Sequence, residues 1–402
     1  MSATSATRFE QLLSSRAQLG RQTTSGVWPT APTKYEFGGG KPDPGSFPYD
    51  AIVEATGRMM AAEGAQALTY GEPLGYRGMR ELIAHKHELF EGLKVAPDNI
   101  LIANGSGHAL SLVISAFVDI GDAVICEAPT FSGTLNALRR HGADLHGVPI
   151  DDEGIIVEAV RAKLEELRRA GRPCKLIYTL PTFHNPAGPT ATVARRKALV
   201  AVAQEYGTMI LEDDAYGELR FEGETLPSLY ELDESDGVIR AGTFSKTLGA
   251  GMRLGWLLTP QAILPSLQAF NFGGGVAPFT SRVATYYMRD HMESHVAKLI
   301  DVYRAKRDAM LQGLWEVLEG TDVVISRPTG GFFIWIKLPE GTDTQKLGTL
   351  AREAAVGYVP GNNFMPNGGA ERYIRLAYSY ESEENCHSGA RYLASAIREA
   401  MA

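Results

Sequence analysis

A chain of 402 residues exceeds what one hydrophobic core usually supports, so two domains, or a large domain with a smaller appendage, are expected. With 44% hydrophobic and 21% charged residues, a formal charge of -8 and no dense Lys/Arg run, the composition is that of a globular protein without a general nucleic-acid surface. Three widely spaced cysteines (Cys126, Cys174, Cys386) argue against a disulfide framework or zinc site, and no run approaches the roughly 18 apolar residues of a membrane span, so a reduced, cytoplasmic protein is expected.

The chain opens on a polar stretch, MSATSATRFEQ, and reaches a Gly/Pro-rich run at 35–48, YEFGGGKPDPGSFP, that reads as a loop whose glycines let backbone approach a ligand. From about 50 to 270, short apolar runs alternate with segments of helical period. Strands are predicted at 100–103, 123–126, 176–180, 209–211, 238–241 and 254–258, with helices at 109–117, 155–170 and 193–206. Buried strands separated by helices predict an α/β domain with a mainly parallel central sheet, whose ligands bind beyond the carboxyl ends of the strands. A long helix at 280–318 follows, then strands at 332–336 and 373–377 and helices at 347–355 and 386–400. The expected division is an N-terminal arm and loop (1–48), a large domain (49–290) and a smaller α/β domain (291–402) completed by the N-terminal segment. The basic clusters Arg168-Arg169, Arg195-Arg196-Lys197 and 304–307 read as solvated helix faces.

Polar clusters fall at the predicted strand ends. Asn104 to Leu110, NGSGHAL, opens a helix after a strand; free N–H groups there, with Gly105, Gly107 and the Ser106 hydroxyl, suit a phosphate, although a plain turn reads the same way. Phe131, in EAPTF, is a flat ring at a strand end, where it either stacks on a ligand or joins the core. Asn185 lies in FHNPAG, a turn that also offers an amide donor. Glu212-Asp213-Asp214-Ala215-Tyr216 closes a strand; such acids form a solvated turn, a metal site, or a carboxylate that keeps a pyridine nitrogen protonated, with the tyrosine donating to the ring's phenolic oxygen. In Thr243 to Trp256, TFSKTLGAGMRLGW, Lys246 sits among hydroxyls with Arg253 seven residues on. A lysine condenses with an aldehyde and an arginine clamps a phosphate, groups that pyridoxal 5'-phosphate carries together, while a solvated loop lysine is the plainer alternative. Arg375, inside the apolar run YIRLAYS, suits either a carboxylate ligand or an internal salt bridge.

In their order along the chain these motifs, together with LTYGEPLGYRGMRELIA, PTGGFFIWIKLPEG and VPGNNF, resemble the fold-type I pyridoxal-phosphate-dependent aminotransferases of class I/II. The likeness covers nearly the whole chain and is strongest to the group holding the 2-aminoadipate and kynurenine aminotransferases and the aminotransferase-like halves of GntR-type regulators. The resemblance implies that Lys246 is the Schiff-base lysine, Asp213 the partner of the pyridinium nitrogen, and Tyr216 with Asn185 the donors to the ring oxygen. It implies that Ser106, Gly107, Ser245 and Arg253 hold the phosphate, with His108 an adjacent candidate, and that Phe131 stacks on the ring. Tyr70 would reach the phosphate of a neighbouring subunit, making a homodimer with shared sites, and Arg375, with Asn185 and Gly39 nearby, would take the substrate carboxylate. The implied reaction is ping-pong transamination between an L-α-amino acid and a 2-oxo acid through pyridoxamine phosphate.

Four positions depart from the family pattern: Phe131 stands where Tyr is frequent, Gly107-His108 replaces a Gln pair, and Ala250 stands where Pro is usual. Two rival functions remain at this level. The same cofactor also serves elimination, decarboxylation and oxidation, and a non-catalytic sensor module is a third class, disfavoured because some 35 residues before the FGGG loop are too few for a winged helix. Arg16, Arg21 and Trp28 in the N-terminal segment are candidates for contacting the substrate side chain.

Overall fold

Apolar runs between residues 100 and 258 pair into one eight-stranded sheet in this computed structural model, which describes residues 10–23, 33–271 and 276–402. From edge to edge the strands are Ile100–Ala103, Gly255–Leu258, Val238–Thr243, Met209–Asp214, Cys174–Thr179, Ala123–Ala128, Asp144–Asp151 and Gly154–Ile155. Pairing is parallel from Val238–Thr243 through to Asp144–Asp151, while Gly255–Leu258 runs antiparallel to both its neighbours. Side chains alternate between two buried faces. Leu101, Val124, Leu176, Leu211, Ile239 and Leu257 meet one helix layer, and Ile100, Ile125, Ile177, Ile210, Val238 and Leu258 meet the other. Each such burial is worth about 2 kcal/mol, so the sheet is a rigid platform and its carboxyl edge is where polar residues gather.

All six strands expected in this region form. Those starting at Met209 and Val238 extend past their apolar cores to Asp214 and Thr243, because ladder hydrogen bonds continue although the side chains turn polar. Asp144–Asp151, interrupted by Gly147 and Pro149, has too little apolar alternation to read as a strand and forms next to the sheet edge. The helix expected at 109–117 begins earlier, at Ser106.

The C-terminal part builds a second, antiparallel sheet in the order Val324–Ile325, Phe333–Lys337, Tyr373–Ala377, Val359–Pro360, covered by helices Thr344–Glu353 and Glu383–Ala400. Tyr35–Glu36 pairs in parallel with Val356–Gly357, so the segment entering the glycine loop is tied to this part; beyond it, a short turn at Pro44–Ser46 is the loop's other regular piece. Helix Pro278–Leu318, about 60 Å long at 1.5 Å per residue, serves both cores. Val283, Ala284 and Met288 pack beside helix Tyr49–Ala67, and Tyr303, Met310 and Leu314 beside helix Glu383–Ala400. Two arginines correct the solvated-face reading of the basic clusters. Arg196 and Arg307 are fully buried, Arg196 donating to the carbonyls of Ala191, Pro181 and Pro227, and Arg307 to that of Pro328 with Glu222 as ion-pair partner.

Candidate active site

A cleft of about 610 Å³ opens at the carboxyl ends of the parallel strands. It gathers Gly39, Ser106, Gly107, Phe131, Asn185, Asp213, Tyr216, Ser245, Lys246, Arg253 and Arg375, which lie far apart in the sequence.

The three acids ending Met209–Asp214 divide their work by strand alternation. Glu212 points to one face and accepts the backbone N–H groups of Leu229 and Tyr230, capping a short helix. Asp214, on that same face, forms a close ion pair with Arg240, which also grips Glu91 at 2.6 and 3.1 Å. Asp213 alone points to the cleft. It is buried, has no ion-pair partner among the described residues, and accepts one side-chain hydrogen bond, 2.6 Å from the Tyr178 hydroxyl. Burial pushes its carboxyl up to about 6, against the lowering effect of that hydrogen bond.

Helix Ser106–Phe117 aims its N-terminus into the cleft, where the N–H groups of Ser106 and Gly107 precede the first intrahelical bonds, which His108 and Ala109 donate to the Gly105 carbonyl at 3.1 and 3.2 Å. Gly105 holds a φ of +79°, and a Cβ there would lie 2.9 Å from the Arg253 guanidinium, which donates to the Asn104 carbonyl at 2.8 Å. Gly255 is equally constrained: a Cβ would sit 2.5 Å from the Gly105 carbonyl carbon, so only glycine lets that strand lie under the turn. Arg253 itself adopts a left-handed φ of +52°, a strain of order 1 kcal/mol that swings its side chain to the mouth of the turn.

Lys246 follows the strand Val238–Thr243 in a single wide helical turn, Ser245–Gly249. Its Nζ donates to the Gly40 carbonyl at 2.8 Å, and the amine is pushed down to about 8 by burial, with Arg375 repelling its charge and Asp213 partly restoring it. Arg375 is buried across from it. One nitrogen donates to Asn185 Oδ1 at 2.9 Å, another to the Gly38 carbonyl at 2.6 Å, and Nε has no partner. Phe333 and Phe364 flank the guanidinium at 4.2 and 4.7 Å. No carboxylate pairs with it among the described residues, so the internal salt bridge that sequence left open is absent there, and burial lowers its pKa to about 10. Because Asn185 spends its oxygen on Arg375, its amide nitrogen is left to donate into the cleft.

His108 is not brought to the cleft wall. Its ring folds back so that Nδ1 accepts the Asn104 N–H at 3.1 Å. Tyr70 is 94% exposed and away from this chain's cleft. Arg16 lies on helix Ser15–Thr23, outside the cleft lining, and Trp28 lies outside the described residues. Sequence reasoning missed Tyr178 and Thr134, whose hydroxyls back Asp213, and Arg140, an exposed cation on the cleft wall; a tyrosine inside the apolar strand run CKLIYT was the one available signal for the first.

The donor set fits pyridoxal 5'-phosphate: a buried amine for the aldehyde, an unpaired acid for the ring nitrogen, amide and phenol donors for its oxygen, and a cationic glycine turn for the phosphate. A mainly parallel sheet carrying that set at its carboxyl edge defines a pyridoxal-phosphate enzyme of the aspartate aminotransferase-like fold. The profile for aminotransferase class I and II matches residues 33–393. The chain is 36% identical to the aromatic-amino-acid aminotransferase 1 of Thermococcus litoralis, over 90% of this chain and 88% of that one. Among solved structures, an α-aminoadipate aminotransferase from Thermus thermophilus, complexed with N-(5'-phosphopyridoxyl)-L-leucine, superposes with a TM-score of 0.86 at 31% identity, covering 98% of this chain and 99% of that one. A kynurenine aminotransferase from Pyrococcus horikoshii gives 0.88 at 33%, covering 98% of each. The chain belongs to the aminotransferase class I and II family, and its activity is pyridoxal-phosphate-dependent transamination.

Proposed function

We propose that the residues of this one cleft divide the labour of transamination, and that the donor is an L-α-amino acid with an extended side chain. The observation that carries the reading is the meeting of a buried amine, Lys246, with an unpaired acid, Asp213, and an unpaired guanidinium, Arg375, within one cleft. When bound, pyridoxal phosphate supplies a reactive carbonyl and a ring that accepts the electron pair left by the substrate Cα–H bond. Lys246 Nζ holds that carbonyl at rest and, once freed, takes the Cα proton as general base. Its depressed pKa supports this role, since a neutral amine is the form that both attacks and accepts a proton. Asp213 pairs with the protonated ring nitrogen, Tyr216 and the Asn185 amide donate to the ring oxygen, and Phe131 stacks on the ring. Ser106, Gly107, Ser245 and Arg253 hold the phosphate. Arg375 takes the substrate α-carboxylate in its planar fork, with Gly39 closing that end of the cleft. Arg140, exposed on the wall, faces the substrate side chain.

The relatives are named for aromatic, aminoadipate and kynurenine donors, which supports an extended donor here. A panel of aromatic, dicarboxylic and small donors, with 2-oxoglutarate and pyruvate as acceptors and oxo-acid formation as the signal, tests it. Turnover confined to alanine or glycine would refute it.

The same reading takes the active unit as a homodimer in which Tyr70 of one subunit completes the phosphate site of the other. Tyr49, Val53, Leu68 and Tyr70, 64 to 94% exposed along helix Tyr49–Ala67 and the loop after it, support an apolar contact surface there. The division into 1–48, 49–290 and 291–402 belongs to it as well, with the second boundary inside helix Pro278–Leu318. A cytoplasmic location is supported by three cysteines that are free and buried.

A further inference from the structure

Asp213 differs from its two acidic neighbours in how its charge is supported. Glu212 accepts two backbone N–H groups and lies near the Arg240 and Arg196 charges, and Asp214 pairs with Arg240, but Asp213 has one neutral donor, the Tyr178 hydroxyl. That contact is built by the sheet. Tyr178 lies opposite Leu211 on the adjacent parallel strand, so Asp213, two residues on, shares its face and lies diagonally across. The hydroxyl's direction is fixed from behind, because Thr134 Oγ1, on helix Ser132–His141, donates to it at 2.9 Å and leaves its proton for Asp213 Oδ2 at 2.6 Å. Thr134 and Tyr178 are both fully buried, so water does not compete for these bonds.

We propose that Tyr178 is a positioning residue for the cofactor. Its hydroxyl, oriented by Thr134, clamps Oδ2 of Asp213 so that Oδ1 faces the cleft, and stabilises the carboxylate as the anion that pairs with the ring nitrogen. The inference rests on the reading of Asp213 as that nitrogen's partner. The consequence is a setting of proton position. Donation to an ionised carboxylate weakens its basicity, so the proton shared between Asp213 and the ring stays on the ring nitrogen. Without the hydroxyl, Asp213 becomes the stronger base and the proton moves toward it. The sign agrees with the electrostatics of the cleft, where burial raises the carboxyl's pKa and this bond lowers it.

The test uses holoenzyme reconstituted with pyridoxal phosphate labelled with ¹⁵N in the ring, observed by NMR between pH 6 and 9, with cofactor affinity measured alongside. Wild type gives the protonated-nitrogen signal across the range. Asp213→Asn gives the neutral-pyridine signal; a protonated signal in that variant would sink the reading of Asp213 and the inference with it. Tyr178→Phe moves the signal part of the way to the neutral position and weakens cofactor binding by about tenfold, the loss expected of one hydrogen bond to a charged group. A signal and affinity unchanged in Tyr178→Phe, beside a shifted Asp213→Asn, would overturn the inference while leaving Asp213 in place. Thr134→Val, which keeps the Tyr178 ring, decides the matter if Tyr178→Phe does not fold: a smaller shift in the same direction supports the clamp, and none contradicts it.

Discussion

Asp213 and Asp214 are adjacent in sequence and opposite in consequence. Asp213→Asn removes the carboxylate charge from the cleft without breaking an ion pair among the described residues, so the transamination rate should fall by at least about a hundredfold while the melting temperature holds. Asp214→Asn strands Arg240 with Glu91 alone; losing one partner from a buried ion-pair network costs about 3 kcal/mol and should lower the melting temperature with a far smaller effect on rate per folded enzyme. Thermal melts and stopped-flow half-reactions on both variants separate the two, and the reverse pattern would exchange their roles. Lys246 gives a pH signature. Buried and beside Arg375, its amine titrates near 8, below the ordinary lysine value, so it is protonated and unreactive at lower pH and becomes a nucleophile as pH rises through that value. Covalent capture of pyridoxal phosphate by the apoenzyme should therefore accelerate from pH 6 to 9 with a midpoint near 8. Arg375→Met removes a repelling cation and should move the midpoint upward; a wild-type midpoint near 10.5 would contradict the buried amine. Lys246 and Asp213, at or just past strand ends, and Arg375, inside a strand, were legible in the sequence because each breaks an apolar pattern, and Asn185 because it stands in a Pro/Gly turn. Tyr178 was not, because its partner lies 35 positions away on another strand, and a tyrosine in an apolar run reads as core. His108 shows the converse: it neighbours the phosphate turn in sequence, and helix geometry turns its ring back onto Asn104.

The glycine turn proposed to hold the phosphate is an element defined by two backbones that nearly touch. Gly255→Ala would drive a methyl into the Gly105 carbonyl carbon and the Ser106 nitrogen, at 2.5 and 2.6 Å, neither of which is a flexible side-chain end. Overpacking of this kind costs about 1–3 kcal/mol and displaces the helix N-terminus, so both the melting temperature and the affinity for pyridoxal phosphate should fall. Unchanged affinity in a folded variant would show that the turn does not carry the phosphate. The central strands were legible because burial on both faces leaves continuous apolar runs. The carboxyl end of Met209–Asp214 was read short, since Glu212-Asp213-Asp214 keeps its ladder bonds while abandoning the apolar pattern. Asp144–Asp151 was missed for the opposite reason: near the edge its pairing tolerates Gly147 and Pro149, which read as a turn.

At the scale of the whole molecule, helix Pro278–Leu318 packs one half against each core, so a single rod couples the sheet that carries Lys246 to the part that carries Arg375. Sharing of sites between subunits is tested by mixing Tyr70→Phe and Lys246→Ala chains. If Tyr70 acts across the interface, both lesions fall on one site of the mixed dimer and the other site regains activity above the parents' weighted mean; if it acts within its own chain, every mixed site carries a lesion and nothing is regained. In the proposed division of labour Lys246 carries the covalent bond to the cofactor and the proton transfer at Cα. Borohydride reduction of the holoenzyme, followed by proteolysis and mass spectrometry, should find the cofactor fixed to Lys246, with no labelled lysine in Lys246→Ala. Label on any other lysine of the wild-type protein, or labelling that survives in Lys246→Ala, would contradict it.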